Sequence, residues 1–350
     1  MNKRFWLCVF FAFSILMPIA ASAHEVYVLS PAEIKADIAS PSPITFAIVT
    51  THAGQFTFWA FITILTIVTI FFISISHWLE NKLDPFFAKT KRWAPLVGRV
   101  TMGISFLAAA YYQATYGPEL PIAPAYGIYT PFITVVLIIL GLLIIFGIYT
   151  RIAAVASLCI FGYSVYLHGV YMLTYLNYFG ETMMLLLGVH SFSAIEGDVG
   201  KTKDVLLRVG KKITPYAFLI LRVCFGIALI YASAYAKLIH GWLALQTVTL
   251  PLAGHPYGLA HYFGLEPHFF VLGAAIIEIL IGLFFIFGIE IRFTAVFLMF
   301  WLTLSLIYFG EIVWPHLILF GIPIAFICYG YDKYSLEGFL FKRNGREPIL

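Results

Sequence analysis

Pro267–Gly288 reads PHFFVLGAAIIEILIGLFFIFG. Apart from His268 beside its start, the run has one ionisable side chain, Glu278, at its centre. A helix of roughly 20 apolar residues crosses the ~30 Å hydrocarbon core of a bilayer. Within that core every backbone N–H and C=O must be bonded inside the segment, so such a run is read as a helix. A carboxyl group at mid-membrane costs roughly 2.5–3.5 kcal/mol even on the gentlest scale, so Glu278 needs a partner or a task.

The rest of the chain fits this reading. Of 350 residues 61% are hydrophobic and 11% charged, and the mean hydropathy is +0.93. Soluble domains carry about 25% charged residues. A soluble globular protein, a disordered chain and a nucleic-acid binder with a basic patch are all excluded. Further apolar runs lie at about 57–78, 97–115, 128–149, 152–172, 179–193, 214–238, 293–309 and 312–330. With 267–288 they predict nine transmembrane helices in an all-α integral membrane protein. The run at 179–193 is short for a crossing.

The N-terminus reads as a targeting signal. Lys3 and Arg4 precede an apolar stretch from Trp6 to Ile19, and Ala21-Ser22-Ala23 is a small-residue cleavage site. Cleavage after Ala23 would make His24 the mature N-terminus. The rival reading is an uncleaved first span. With the mature N-terminus outside, only Lys35 and Lys237 of the 21 Lys and Arg fall on the outer side. Lys3 and Arg4 leave with the signal, and the remaining seventeen fall in inner segments, as expected when basic residues stay cytoplasmic. The organisation expected is a signal peptide (1–23), a periplasmic segment (24–56), a first span (57–79), two four-helix units (95–195 and 210–332) and a cytoplasmic tail (333–350), in a bacterial inner membrane.

The two units share landmarks in one order. Gly98-Arg99-Val100-Thr101-Met102-Gly103-Ile104 resembles Leu221-Arg222-Val223-Cys224-Phe225-Gly226-Ile227. Phe146-Gly147-Ile148 with Arg151 matches Phe287-Gly288-Ile289 with Arg292, and Tyr178-Phe179-Gly180-Glu181 matches Tyr308-Phe309-Gly310-Glu311. Gly147 and Gly288 also suit a tight helix end, and Gly103 and Gly226 suit close helix packing. Glu181 and Glu311 stand at helix starts, where an acid favours the helix dipole.

The second unit resembles the DoxX/DoxD family of small four-helix membrane proteins. The resemblance rests on Leu221–Leu238 (LRVCFGIALIYASAYAKL), on Glu278-Ile279-Leu280-Ile281-Gly282, and on Gly288 with Arg292-Phe293-Thr294-Ala295. It covers 210–330 well and 95–195 more weakly, and leaves out 24–90. It implies a fold of two DoxX-like four-helix bundles plus one N-terminal helix. It also implies a link to quinone-dependent oxidation of thiosulfate at the membrane, or to redox stress. The first unit departs from the pattern: Gln113 or Ala114 stands where Lys237 would align, and Leu137 where Glu278 would.

Lys237 lies ~22 Å along its helix from Arg222, and its long stem can snorkel toward Glu278. Two readings are open. Either the two form a polar site, or Glu278 is protonated against a hydroxyl and Lys237 reaches the outer interface. Histidines crowd the outer side: His24, His52, His168, His240, His255, His261 and His268, with His316 inside the last span. Imidazole can hydrogen-bond a quinone oxygen and move its proton, or ligate copper, zinc or haem iron. An N-terminal His24, with or without His52, could also take copper. No strict metal signature, Walker A, G-x-S-x-G, Rossmann fingerprint, C-x-x-C or C-x-x-C-H is present. Cys159, Cys224 and Cys328 read as small buried hydrophobes.

The expectation is therefore a quinone-linked membrane oxidoreductase component. Its catalytic pair is Glu278 and Lys237, and His240, His261 and His268 are its cofactor-side residues. Quinone is the expected cofactor and no metal ligand is assigned. Lipid and a periplasmic or membrane subunit are the expected partners. The alternative is a non-enzymatic protein that binds or moves a small solute or proton, or assists assembly of another complex.

Overall fold

The computed structural model describes residues 29, 31–40, 51–87, 89–187, 216–251, 256–309, 314–331 and 334–340. The predicted signal peptide, His24, His255, Glu311 and most of the cytoplasmic tail lie outside the described residues. Among the described residues every named element is helical, and Ala114 and Pro121 form one isolated antiparallel bridge. The helices are α1 (Pro31–Ala39), α2 (His52–Phe87), α3 (Ala94–Tyr112), α4 (Ile122–Tyr126), α5 (Thr130–Phe146), α6 (Thr150–His168) and α7 (Leu176–Leu186). They continue with α8 (Ala217–Ser233), α9 (Gly241–Thr249), α10 (Leu259–Tyr262), α11 (Pro267–Phe287), α12 (Ile291–Phe309), α13 (Pro315–Tyr329) and α14 (Leu336–Leu340).

Seven stretches among the described residues are long and apolar enough to cross a membrane, and α13 is a shorter apolar helix. The predicted count of nine is therefore not reproduced. The difference lies partly at Thr150–Leu186, which spans 37 residues. As one straight helix it would measure ~55 Å, well beyond the bilayer core. It is not straight. The Phe161 and Phe179 rings lie 5.7 Å apart, whereas one helix would separate them by ~27 Å. The chain reverses through the 3₁₀ turn Gly169–Tyr175, and Gly169 opens that turn with φ +58°. Part of the predicted run 179–193 lies outside the described residues.

Two helix crossings organise the core. A Cβ built on Gly103 in α3 would meet the Gly141 carbonyl of α5 at 2.7 Å. A Cβ on Gly226 in α8 would meet the Gly282 carbonyl of α11 at 2.5 Å. Only glycine lets these backbones touch, which is how membrane helices gain packing energy where lipid is as apolar as leucine. The helices that follow end alike. Gly147 and Gly288 close α5 and α11 in the left-handed conformation, and the next N–H groups return to the Leu143 and Phe284 carbonyls. Tyr149 and Glu290, two residues on, also have positive φ. The expectation of tight helix ends at both glycines is met.

The units do not close as two separate bundles. α7 packs on α8, and α13 packs on α3. Gly180 of α7 lies against Leu221 and Cys224, and Gly321 of α13 against Thr101. Arg222 is buried at this junction. Its guanidinium donates to the Phe285 and Ile286 carbonyls (2.9 and 3.1 Å) and to the Tyr334 carbonyl. A cation on the C-terminal carbonyls of α11 matches the helix dipole there. α2 lies at the margin and touches the rest through Phe61–Phe269, Phe72–Phe297 and a buried Glu80–Arg292 ion pair.

Two elements were not foreseen. The polar segment before the first span contains α1, with Pro31 at its first position. The histidine-rich stretch contains α9, whose Ala244, Leu245 and Val248 pack with Ala260 and Val271 as a small second core.

Candidate functional site

α8 does not end as an α-helix. Ala234–Ile239 forms a π-helical turn, with the His240 N–H bonded to the Tyr235 carbonyl at 2.8 Å. Such turns insert an extra residue into a helix and often mark functional positions. Lys237 sits in this turn. Glu278 sits at mid-length of α11, which the Gly226–Gly282 crossing holds against α8.

The two side chains meet. Lys237 Nζ lies 2.9 Å from Glu278 Oε2, with side chains 13% and 21% exposed. The Trp301 indole N–H of α12 donates to Glu278 Oε1 at 3.2 Å. Three helices thus converge on one carboxylate, each oxygen having its own donor. An ion pair out of bulk water holds both charges only when extra hydrogen bonds satisfy them, and Trp301 supplies one.

Lys237, Glu278 and Trp301 line a cavity of about 250 Å³. Its walls are mostly apolar: Ala228, Ala232, Val271, Ala274, Leu298 and Leu302. Polar groups come from several elements: Ser233 from α8, Thr174 and Tyr175 from the reversal before α7, Asn177 and Tyr178 from α7 itself, Thr247 from α9 and Ser305 from α12. Leu304 and Phe263 also line it and are 45% and 60% exposed. The rim is thus apolar and open, with the charged pair inside. A mostly apolar cavity with few convergent polar groups is the usual form of a small-molecule site.

The three expected cofactor-side histidines are not among the cavity's lining residues. His240 caps the π turn, its ring 4.5 Å from that of Tyr235, and burial lowers its pKa below the ordinary imidazole value. His261 lies against the Tyr257 ring at 4.2 Å. His268 Nδ1 is 2.6 Å from Glu266 Oε1. Glu266 in turn caps α11 by accepting from the Phe269 N–H at 2.8 Å. Burial pushes the Glu266 carboxyl up, but the bonds from His268 and the backbone outweigh it and hold it below its usual value. The histidine that does line the cavity is His316, in the first turn of α13. Among the described residues no three His, Cys, Asp or Glu are grouped to hold a metal ion.

Glu181 is fully buried in α7 and accepts from Thr101 at 3.2 Å, away from the pair. Tyr178 and Tyr308 both line the cavity. Tyr178 bonds to Ser105 at 2.7 Å, and Tyr308 donates to the Tyr257 carbonyl at 3.0 Å. Sequence reasoning missed Trp301. Its signal was available: tryptophan prefers the membrane–water interface, and this one stands midway along a span.

Residues 217–310 match the family model described as DoxX, so the chain carries a DoxX domain there. Lys237, Glu278 and Trp301 all fall inside the match. No curated protein and no solved structure matches the chain.

Proposed function

We propose that this DoxX-like membrane protein is the quinone-binding component of a membrane oxidoreductase, set in a bacterial inner membrane with its mature N-terminus outside. The observation that supports this best is the cavity's polarity gradient. Exposed Leu304 and Phe263 stand at the rim and the Lys237–Glu278–Trp301 group inside. A ligand that reaches an apolar rim from lipid and needs a hydrogen-bond donor at its far end has a greasy body and a carbonyl head.

The residues present fit such a group. Lys237 would donate from its ammonium to a carbonyl oxygen of the head. Glu278 would hold or release a proton beside it. Trp301 keeps the carboxylate oriented by occupying Oε1, which leaves Oε2 to Lys237. The apolar walls exclude water and strengthen each of these interactions. Quinone, when bound, supplies a two-electron, two-proton acceptor. The electrons come from a partner on the outer side.

The test is mass spectrometry of small molecules that co-purify in mild detergent. The proposal expects about one quinone per chain, lost in Glu278→Gln. Absence of quinone from a folded sample would favour the other reading, a protein that binds a small solute or moves a proton.

A further inference from the structure

Beside the cavity lies a second acidic group, which the paired site does not use. The loop after α3 folds back on itself: the Thr115 N–H bonds the Leu120 carbonyl (3.0 Å) and the Ile122 N–H bonds the Gln113 carbonyl (2.9 Å). This loop carries Glu119. The Tyr171 hydroxyl donates to Glu119 Oε1 at 3.2 Å, and the Tyr175 hydroxyl donates to the same oxygen. Tyr175 also lines the cavity, so one residue touches both the cavity and the carboxylate of an outer loop. Gly117 makes this contact sterically possible, because a Cβ there would fall 2.0 Å from the Tyr175 hydroxyl oxygen. Thr174, Asn177, Tyr178 and Ser233 line the same cavity as Tyr175 and Lys237. Tyr171 and Tyr175 bond to Glu119, and the Tyr178 hydroxyl also lies within electrostatic reach of it. The rings of Tyr116 and Tyr178 stand behind, each 6.0 Å from that of Tyr175.

We propose that Tyr175 and Glu119 form the port through which the cavity exchanges protons with the outer face. This rests on the reading of the cavity as a quinone site. The step moves one proton and no electrons. Tyr175 passes its hydroxyl proton to a Glu119 oxygen and accepts another, at the same hydroxyl oxygen, from the cavity side. Glu119 then releases its proton to the outer aqueous phase. Run backwards, the same exchange admits a proton. Glu119 touches no substrate and acts only through Tyr175.

The test is infrared difference spectroscopy of the full-length protein in phosphatidylcholine vesicles holding decylubiquinone, reduced with dithionite. Each quinone reduced to quinol takes two electrons from dithionite and two protons through the protein. Besides any band from Glu278, the wild type should show a carboxyl band that is lost in Glu119→Gln and Tyr175→Phe and shifted in Glu119→Asp. Decylubiquinone binding, read by tryptophan fluorescence, should be unchanged in both Glu119 variants. Retention of every wild-type carboxyl band in Glu119→Gln overturns the port and leaves the quinone site standing. Loss of binding in Glu119→Gln also overturns it, since Glu119 would then serve the ligand directly. Failure of the wild type to bind decylubiquinone overturns the port and the quinone reading together.

Discussion

The helices Ala94–Leu186 and Ala217–Tyr329 use the same devices and reach different ends. Both cross at paired glycines, both turn through a left-handed glycine followed by a second positive-φ residue, and both bury an arginine near the crossing, Arg99 and Arg222. At the three positions of the polar site they part. Ala114 stands as far beyond Arg99 as Lys237 beyond Arg222. Leu137 precedes Gly147 as Glu278 precedes Gly288, and Ile160 follows Arg151 as Trp301 follows Arg292. All three replacements are apolar and buried. Where the second unit leaves a cavity, the first packs Tyr116 against Phe161 and Tyr178. The first unit thus makes the same glycine crossing without a polar group at these positions.

The largest effect expected concerns Arg292 and its counterpart Arg151. Arg292 is buried on Glu80 of α2, beneath the Phe87 ring; Arg151 is half-buried. Glu80→Ala strands a buried cation and should cost about 3–5 kcal/mol in equilibrium unfolding in mixed micelles. Arg151→Ala should cost under about 1 kcal/mol, as surface charges do. Equal costs would break the contrast.

Next come the crossings. Gly103→Ala and Gly226→Ala each push a methyl into a facing carbonyl, and each should cost about 1–3 kcal/mol. If only one proves sensitive, the two crossings are not equivalent.

A third test turns the second site into the first. The triple change Lys237→Ala, Glu278→Leu, Trp301→Ile replaces the polar group with its apolar counterparts. Stability should fall by no more than about 1 kcal/mol or rise, because an ion pair out of water costs nearly what it returns. Glu278→Leu alone should be worse than the triple change, since it removes the carboxylate from beside the Lys237 ammonium. Melting curves of the two variants decide this.

The smallest effect is at α11's N-terminus, a cap that α5 lacks. Glu266→Ala should cost about 0.5–1 kcal/mol. Because its folded pKa is lowered, Glu266 contributes above its unfolded pKa, and that contribution fades as pH falls through the folded value. The wild type and Glu266→Ala should therefore converge in stability toward low pH.

The spans were legible because an apolar run of bilayer length has one structural outcome. Glu278 stood out because acids are rare in such runs, and Gly147 and Gly288 because each precedes a turn too short for anything but a left-handed residue. The alignment of Leu137 with Glu278 already marked the first unit as lacking the pair. Other features left no local trace. The π turn around Lys237 depends on how α8 meets α9 and α11. The separate runs 152–172 and 179–193 marked the break between them, but not the 3₁₀ turn that Gly169 opens there. The exchange of α7 and α13 between units is a long-range choice that no periodicity records. The local partners of the histidines also left no trace: His240, His261 and His268 stand against Tyr235, Tyr257 and Glu266, and His316 lines the cavity.

The central claim is that a quinone head sits at the second unit's carboxylate and nowhere equivalent in the first. An azido-quinone photolabel, followed by peptide mapping, tests it most directly. The account predicts label on the cavity segments Phe270–Glu278 and Leu298–Ser305, competed away by unmodified quinone and lost in Glu278→Gln. Label concentrated around Leu137 and Ile160, or spread evenly over lipid-facing helices, would contradict it.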